Sequence, residues 1–164
     1  APGNKYPGAA YFTRGTGHDE NARYSEDSET WRKLLDRLAL KYQTTRNFVP
    51  KSVIDPMDGA SVGIIAYGST APAILEARQQ LAQKGLKTDF LRLRAVPFTS
   101  EVDEFIQAHD RVYVVEMNRD GQMHMLLRLA YPAHTSRLIS IAFTNGLPMT
   151  ARQVSEMILA KEEK

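Results

Sequence analysis

The stretch Val62-Gly-Ile-Ile-Ala-Tyr67, followed by Gly68-Ser-Thr70, decides the fold class of this 164-residue chain. It is short and almost entirely apolar, which is typical of a strand buried on both faces of a parallel sheet. A helical pattern follows directly, with Thr70 as its predicted cap, Pro72 in its first turn and Gly85 after its end. The stretch therefore predicts a β-strand that turns directly into an α-helix.

Three more strand-and-helix patterns follow along the chain. Their strand candidates are Thr88–Arg94, Arg111–Met117 and Leu138–Phe143. For the helices that follow these strands we predict, in chain order, three N-terminal caps: Ser100 with Asp103, Asp120, and a capping box of Thr150 with Gln153. This alternation predicts an α/β domain of three layers with a mostly parallel sheet, from about residue 60 to residue 164.

A different pattern precedes this domain. Residues 1–24 are rich in glycine and polar residues, which indicates an irregular segment. A helix is predicted to begin near Ser25, because an apolar stripe with helical spacing follows it. The stripe consists of Trp31, Leu34, Leu35, Leu38 and Tyr42. We assign residues 1–50 to this irregular segment and helix, residues 51–59 to a linker, and residues 60–164 to the α/β domain.

The composition excludes several classes of function. Hydrophobic residues make up 43% of the chain and charged residues 24%, with a formal net charge of +2. These values are typical of a globular domain and do not favour a nucleic-acid partner. No apolar run is long enough to span a membrane, and no signal-peptide pattern is present, so we expect a cytoplasmic protein without a membrane partner. Since the chain contains no cysteine, it cannot itself hold an iron–sulfur cluster or a thiolate zinc site. It begins with Ala1, and we expect a longer parent protein.

Polar residues follow the predicted strands at the edge where parallel sheets bind ligands. Gly68, Ser69 and Thr70 stand at a helix N-terminus, where they form either a tight turn with a cap or an anion-binding corner. Glu116 and Asn118 end another strand. Glu116 fits structural pairing or an interface, and a catalytic acid–base role is the alternative.

Motifs for other kinds of site are weak or absent. The chain has no Gly-x-Gly-x-x-Gly after the first strand and no phosphate-binding P-loop pattern. The adjacent residues His18, Asp19 and Glu20 permit a metal site, but loop hydrogen bonding explains them better. His109, His124 and His134 are scattered, and we expect them to face solvent. No nucleophile stands beside a base, so the sequence predicts no catalytic residue and no metal ligand.

Four separated blocks of sequence carry a resemblance to a known family. They are Gly8–Glu20, Leu91–Phe98, Val114–Gln122 and Asn145–Ala151. Together they resemble the C-terminal part of the alpha subunit of 2-oxoacid:ferredoxin oxidoreductases, most closely the 2-oxoglutarate type. The resemblance extends over essentially the whole chain in the same order.

The resemblance implies a fold and a role. The family decarboxylates a 2-oxoacid oxidatively to an acyl-CoA with thiamine diphosphate, and its partners are ferredoxin and CoA. Its alpha subunit ends in a domain similar to the C-terminal domain of transketolases, which we expect at 60–164. Residues 1–50 would then be the end of a pyrimidine-type domain and a connector helix. The resemblance implies that this piece is structural, assembles with the beta subunit and the remainder of the alpha subunit, and is inactive alone.

The resemblance also implies where the cofactors lie. Thiamine diphosphate, magnesium and the iron–sulfur cluster are expected elsewhere in the complex. Arg119-Asp120-Gly121 imitates a diphosphate-site motif, but Arg119 replaces its first glycine, so we expect no cofactor in this chain. Thr13, Arg14 and Thr16 are the residues that we expect near the substrate, since arginine binds carboxylates. The alternative interpretation is a stand-alone flavodoxin-like domain that binds a small anionic ligand at Gly68–Thr70.

Overall fold

The structure is a computed structural model that describes residues 3–7 and 17–163. The chain divides into two compact units, Ala1–Phe48 and Val49–Lys164, and each is described by itself. In the described residues, no helix combines the length and the apolar character that crossing a membrane requires.

The first unit contains one long helix, α1 (Ser28–Thr45). Its N-cap is Asp27, whose carboxylate accepts a hydrogen bond from the Thr30 amide at 2.8 Å. The predicted cap, Ser25, lies just outside the helix, where its hydroxyl accepts from the Asp27 amide at 3.2 Å. The predicted apolar stripe is present, but only Leu34 is buried. Its other members are about half exposed: Trp31, Leu35, Leu38 and Tyr42.

The second unit is an α/β fold with one five-stranded sheet. Its strands are β1 (Val53–Asp55), β2 (Val62–Tyr67), β3 (Thr88–Leu93), β4 (Arg111–Glu116) and β5 (Leu138–Ala142). Its helices are α2 (Ala71–Gln83), α3 (Ser100–Ala108), α4 (Gln122–Ala130) and α5 (Ala151–Glu162), with 3₁₀ turns at Gly68–Thr70 and Pro132–Arg137. The strand order is β1-β3-β2-β4-β5, and all neighbours are parallel except β1 and β3. The predicted mostly parallel α/β fold is confirmed.

The antiparallel strand β1 lies within residues 51–59, which the sequence analysis assigned to a linker. Val53 pairs with Arg92 and Asp55 pairs with Phe90, so this stretch forms an edge of the sheet. A strand of three residues is too short to show the alternation by which strands are recognised. Its pairing with β3 depends on a neighbour more than thirty residues away, which the local sequence does not reveal.

Helices cover both faces of the sheet, and alternate residues of β2 point to opposite sides. Ile64 packs in one core with α2 and α5, whereas Ile65 packs in a second core with α3 and α4. Both side chains are fully buried. The three layers follow from this arrangement, because a strand apolar on both faces needs cover on both faces.

The helix caps agree only partly with the predicted ones. The capping box of α5 is confirmed: the Gln153 amide donates to the Thr150 hydroxyl, and the Thr150 amide donates to the Gln153 side chain at 2.9 Å. Asp120 does not cap α4, whose N-cap is Gly121. Thr70 precedes α2 without a side-chain capping bond, and the N-cap of α3 is Thr99.

A cluster of three side chains ties the end of α5 to β4. The Glu162 carboxylate accepts hydrogen bonds from the Arg111 guanidinium, including one from Nε at 2.7 Å, and from the Tyr113 hydroxyl. The bonds from Arg111 hold the pKa of Glu162 below its ordinary value of 4.5. Burial, and then the bond to Glu162, raise the pKa of Tyr113 to about 12. The cluster therefore stabilises the fold while Glu162 is ionised.

The centre of the sheet leaves no room for a side chain at Gly63. A Cβ there would lie 2.6 Å from Phe105 Cε1 and 3.2 Å from His109 Cγ. We expect Gly63→Ala to lower the free energy of unfolding by about 1–3 kcal/mol through overpacking. Urea denaturation of the full chain measures the loss. Ser61→Ala, at an exposed neighbouring position, is the control and should stay within about 0.5 kcal/mol of the parent. Equal stabilities of the two variants would contradict this packing.

The Glu162 cluster predicts a pH dependence of stability. Because the folded-state pKa of Glu162 is lowered, its contribution is fully present above pH 4.5 and is lost as the pH falls below that value. Glu162→Gln should therefore cost about 1–2 kcal/mol at pH 7 and progressively less under acid conditions. Denaturation curves at several pH values test this, with the exposed Glu163→Gln as control. A deficit that is the same at pH 3 and at pH 7 would refute the assignment.

Candidate functional site at the carboxyl edge of the sheet

The sheet changes its direction of winding at β2. From β2 the chain moves first to β3 on one side and then to β4 on the other. Parallel sheets bind ligands at this kind of switch point, beyond the carboxyl ends of the strands. Here the residues beyond those ends are Gly68–Thr70 after β2 and Glu116 with Asn118 at the end of β4. The fold thus brings the two groups of residues predicted as a corner to one edge.

Glu116 is fully buried, and both its oxygens are engaged. One oxygen accepts from the Met123 amide at 2.9 Å, and the other accepts from the His124 amide at 3.0 Å. These amides belong to the first turn of α4, where helices present unpaired N–H groups and positive partial charge. The Glu116 carboxylate therefore binds the N-terminus of α4 as an anion would. This arrangement favours structural pairing over a catalytic acid–base role for Glu116.

Gly121 makes this arrangement sterically possible. It has a φ of 64°, and a Cβ on it would lie 2.9 Å from the Ser140 hydroxyl and 3.8 Å from a Glu116 carboxylate oxygen. Only glycine takes this left-handed conformation without strain in such a close space. The turn that leads into α4 is completed by the Asn118 side chain, which accepts from the Asp120 amide at 2.9 Å. Asn118 therefore has a local role in the loop.

The Gly68–Thr70 turn has a mixed environment. Gly68 and Ser69 are exposed, whereas Thr70 is buried. Tyr67, immediately before the turn, is part-buried, and its pKa is raised by burial and by the nearby Glu116 carboxylate. The resident negative charge at this edge opposes a second anion beside it. The side of the turn that faces away from Glu116 is therefore the more favourable one for an anionic ligand at this corner.

A cleft opens on that other side, between α2 and the β1–β3 edge. It has a volume of about 410 Å³. Gly68 and Ser69 stand at one end of it, and the cross-strand neighbours Val53 and Arg92 lie along it. The sequence does not predict this cleft, because it indicates a linker at residues 51–59, where the structure has β1.

One histidine is buried where the sequence predicts a solvent-facing one. His109 was expected to face solvent, but it is 4% exposed and lies under β2 against the Phe105 ring. Its ring nitrogens lie 2.7 Å from the Phe105 carbonyl and 3.0 Å from the Asp89 carboxylate. Asp89 in turn accepts from the Met57 amide at 2.6 Å. The spacing of four residues from Phe105, on one face of α3, was the available signal.

The other predicted polar groups have local partners. His18 lies 2.7 Å from the Asp19 carbonyl through its Nδ1, and the Asp19 carboxylate accepts from two amides of its own turn. In residues 3–7 and 17–163, no group of three His, Asp or Glu side chains is arranged to hold a metal ion. His124 and His134 are part-buried, and the ring of His124 lies 3.2 Å from the Leu138 carbonyl. Thr13, Arg14 and Thr16 lie outside the described residues.

The residues around Arg119-Asp120-Gly121 do not fit a diphosphate site. Arg119 and Asp120 pair with each other at 2.7 Å on the surface. The amides of the following helix turn, which would have to receive a phosphate, already donate to Glu116. A diphosphate at this motif would meet the buried Glu116 carboxylate, so these residues do not fit the diphosphate of thiamine diphosphate.

Comparisons with known proteins agree with this architecture. No protein-family model matches the chain. An alpha subunit named 2-oxoacid:ferredoxin oxidoreductase 2, from Aeropyrum pernix, is 31% identical over 162 residues, which cover 94% of this chain and 25% of that protein. The chain is a relative of 2-oxoacid:ferredoxin oxidoreductase alpha subunits. The resemblance inferred from the four sequence blocks is therefore confirmed, and the chain spans about a quarter of the length of the curated relatives it matches.

Two solved structures extend the comparison. The 2-oxoglutarate:ferredoxin oxidoreductase from Magnetococcus marinus, solved with 2-oxoglutarate, coenzyme A and succinyl-CoA bound, matches with a TM-score of 0.71 at 28% identity. The match covers 98% of this chain and 28% of that one. A split-gene transketolase matches with a TM-score of 0.55 at 20% identity, over 67% of this chain and 40% of that one. The transketolase-like fold of the α/β unit is therefore confirmed.

The role of Glu116 leads to a stability prediction. In Glu116→Gln, an amide N–H₂ group would face a backbone N–H donor, and the negative charge at the helix N-terminus would be lost. We expect a loss of about 2 kcal/mol in the free energy of unfolding and faster hydrogen exchange at the amides of Met123 and His124. Asp120→Asn, at the exposed position first predicted as the cap, is the control and should change stability by less than about 0.5 kcal/mol. If Asp120→Asn is the more harmful change, this account of the α4 terminus is wrong.

Proposed function

We propose that this chain is the C-terminal part of the alpha subunit of a 2-oxoacid:ferredoxin oxidoreductase that acts on 2-oxoglutarate. The observation that carries the proposal is the match over 98% of the chain to the Magnetococcus marinus enzyme, which binds 2-oxoglutarate, coenzyme A and succinyl-CoA. A second relative, from Methanocaldococcus jannaschii, is named 2-oxoglutarate synthase subunit KorA. Both names favour 2-oxoglutarate over other 2-oxoacids.

The reaction belongs to the whole complex. 2-Oxoglutarate and CoA become succinyl-CoA and carbon dioxide, and the two electrons released pass to ferredoxin. Thiamine diphosphate with magnesium would supply the decarboxylation chemistry, and an iron–sulfur cluster the electron transfer. We assign these groups to other parts of a cytoplasmic complex.

We propose a structural and assembly role for the α/β unit. Glu116, the charged group at its switch point, uses both carboxylate oxygens to accept hydrogen bonds from the backbone of α4. Several large apolar side chains of this unit remain exposed, as expected of surfaces that other parts of a complex cover. They include Met125, Leu126, Leu129 and Leu147. The partners would be the beta subunit and the remainder of the alpha subunit.

The irregular segment supplies the residues that we propose near the substrate. The block Gly8–Glu20 is one of the four blocks that resemble the alpha subunits, and Arg14 is the cation within it. A guanidinium binds a carboxylate through two parallel hydrogen bonds, so Arg14 suits one carboxylate of a 2-oxoacid. Thr13 and Thr16 offer hydroxyl donors beside it. This part of the proposal depends on the resemblance alone.

The alternative function is a stand-alone flavodoxin-like domain that binds a small anion at Gly68–Thr70. It explains the exposed turn after β2, but it leaves unexplained the sequence match along 94% of the chain, including residues before the α/β unit. The alpha-subunit interpretation accounts for both units and is the one that we adopt.

Activity of the assembled complex tests the proposal. The complete alpha subunit that carries this chain, joined with its beta subunit, should reduce ferredoxin when given 2-oxoglutarate and CoA, whereas the 164 residues alone should not. In the complex, Ser69→Ala and Asn118→Ala should leave kcat within about twofold, because an exposed or locally bonded side chain contributes little. Arg14→Gln should raise the KM for 2-oxoglutarate by about tenfold through loss of a charge-assisted bond.

One control variant and three contrary outcomes make this test decisive. Arg23→Gln changes an exposed arginine of the same unit and should leave the KM unchanged. Turnover by the isolated chain would overturn the structural role of this piece. Activity with pyruvate but not with 2-oxoglutarate would overturn the assigned substrate. Equal effects of Arg14→Gln and Arg23→Gln would remove Arg14 from the substrate region.

A further inference from the structure

The cleft between α2 and the edge of the sheet has features that the proposed structural role does not use. One wall is the N-terminal part of α2, the opposite wall is β1, and the floor is β3. Its volume of about 410 Å³ is in the range of small-molecule sites, which begins at roughly 300 Å³. The lining residues that bear on a ligand are Val53, Asp55, Ser69, Leu75, Phe90 and Arg92.

Most of the surface inside the cleft is apolar. Leu75 and Pro72 project from α2, and Phe90 forms the buried floor between them and the edge strand. Leu75 is 48% exposed and Val53 is 49% exposed, so each still presents apolar surface to a ligand. Covering such a surface with an apolar group is favourable, because it removes apolar area from water.

The charges in and beside the cleft do not cancel. Asp55 is matched by Arg78, whose guanidinium lies 2.9 Å from the Asp55 carboxylate and is itself fixed by a bond from Nε to the Thr88 carbonyl at 2.9 Å. Arg92 also lines the cleft, and in residues 49–163 its guanidinium has no hydrogen-bond or ion-pair partner. One positive charge is therefore left over in the cleft. The strand register places Arg92 beside Val53 and beside Ala66, three residues before Ser69.

An apolar cleft with one unpaired arginine fits a molecule that has an apolar part and one negatively charged group. We propose that this cleft binds a small organic monocarboxylate, with its apolar chain against Leu75 and Phe90 and its carboxylate at Arg92. The Ser69 hydroxyl stands on the same side and can donate a further hydrogen bond. A neutral ligand would leave Arg92 unmatched, and an inorganic anion would leave the apolar walls exposed. The inference goes beyond the proposed function and does not depend on it.

Titration of the full chain with hexanoate tests the site, with hexan-1-ol and acetate as comparison ligands at constant ionic strength. We expect hexanoate to shift the backbone amide signals of Gly68, Ser69, Leu75 and Phe90 in ¹H–¹⁵N spectra, with saturation in the millimolar range. Hexan-1-ol should bind several-fold more weakly, and acetate should shift no signals in the cleft. Shifts that are spread over the exposed apolar residues of α4, or equal affinities for hexanoate and hexan-1-ol, would overturn the proposal.

Matched variants separate the two ends of the ligand. Arg92→Gln should weaken hexanoate binding about fivefold, as expected for one exposed ion pair, and leave hexan-1-ol unchanged. Arg94→Gln removes an equally exposed arginine of the same segment that does not line the cleft, and it should change neither affinity. Leu75→Ala should weaken both ligands, whereas Leu129→Ala on α4 should weaken neither. Equal effects of Arg92→Gln and Arg94→Gln would refute the site.

Discussion

The burial of β2 on both faces is the constraint on which the α/β unit depends. Val62 to Ala66 are buried without exception, so helices have to lie on both sides of the sheet. Gly63 lets Phe105 and His109 approach the strand from one side, while Ile64 meets α2 and α5 on the other. Parallel pairing with β3 and β4 then places the ends of three strands at one edge.

That edge is where a fold of this class would hold a ligand, and here a side chain of the protein itself takes the anionic position. The Glu116 carboxylate accepts hydrogen bonds from the amides of the first turn of α4. It thereby links the end of β4 to the start of α4. Burial, and then the same carboxylate, raise the pKa of Tyr67, and the carboxylate disfavours other anions nearby. Glu116 therefore satisfies the helix N-terminus that a ligand would otherwise have to reach at this edge.

The opposite side of the β2 turn has a different character because of β1. Its antiparallel pairing with β3 adds an edge strand to the sheet, and an open cleft lies between this edge and α2. Arg78 of α2 forms an ion pair with Asp55 of β1. Arg92 has no ion-pair partner among residues 49–163. Charge pairing thus distinguishes the buried Arg78 from the exposed Arg92.

The sequence by itself determined the fold class, the four parallel strands and the capping box of α5, because these depend on local periodicity and on neighbours within four residues. The resemblance to the alpha subunits also came from local blocks. Only the tertiary structure decided that β1 belongs to the sheet, that His109 is buried, and that Glu116 rather than Asp120 serves α4. Each of these depends on which distant groups meet in space. The partners of β1, His109 and Glu116 cannot be predicted from the local sequence, because none of the three belongs to a local pattern that would indicate them.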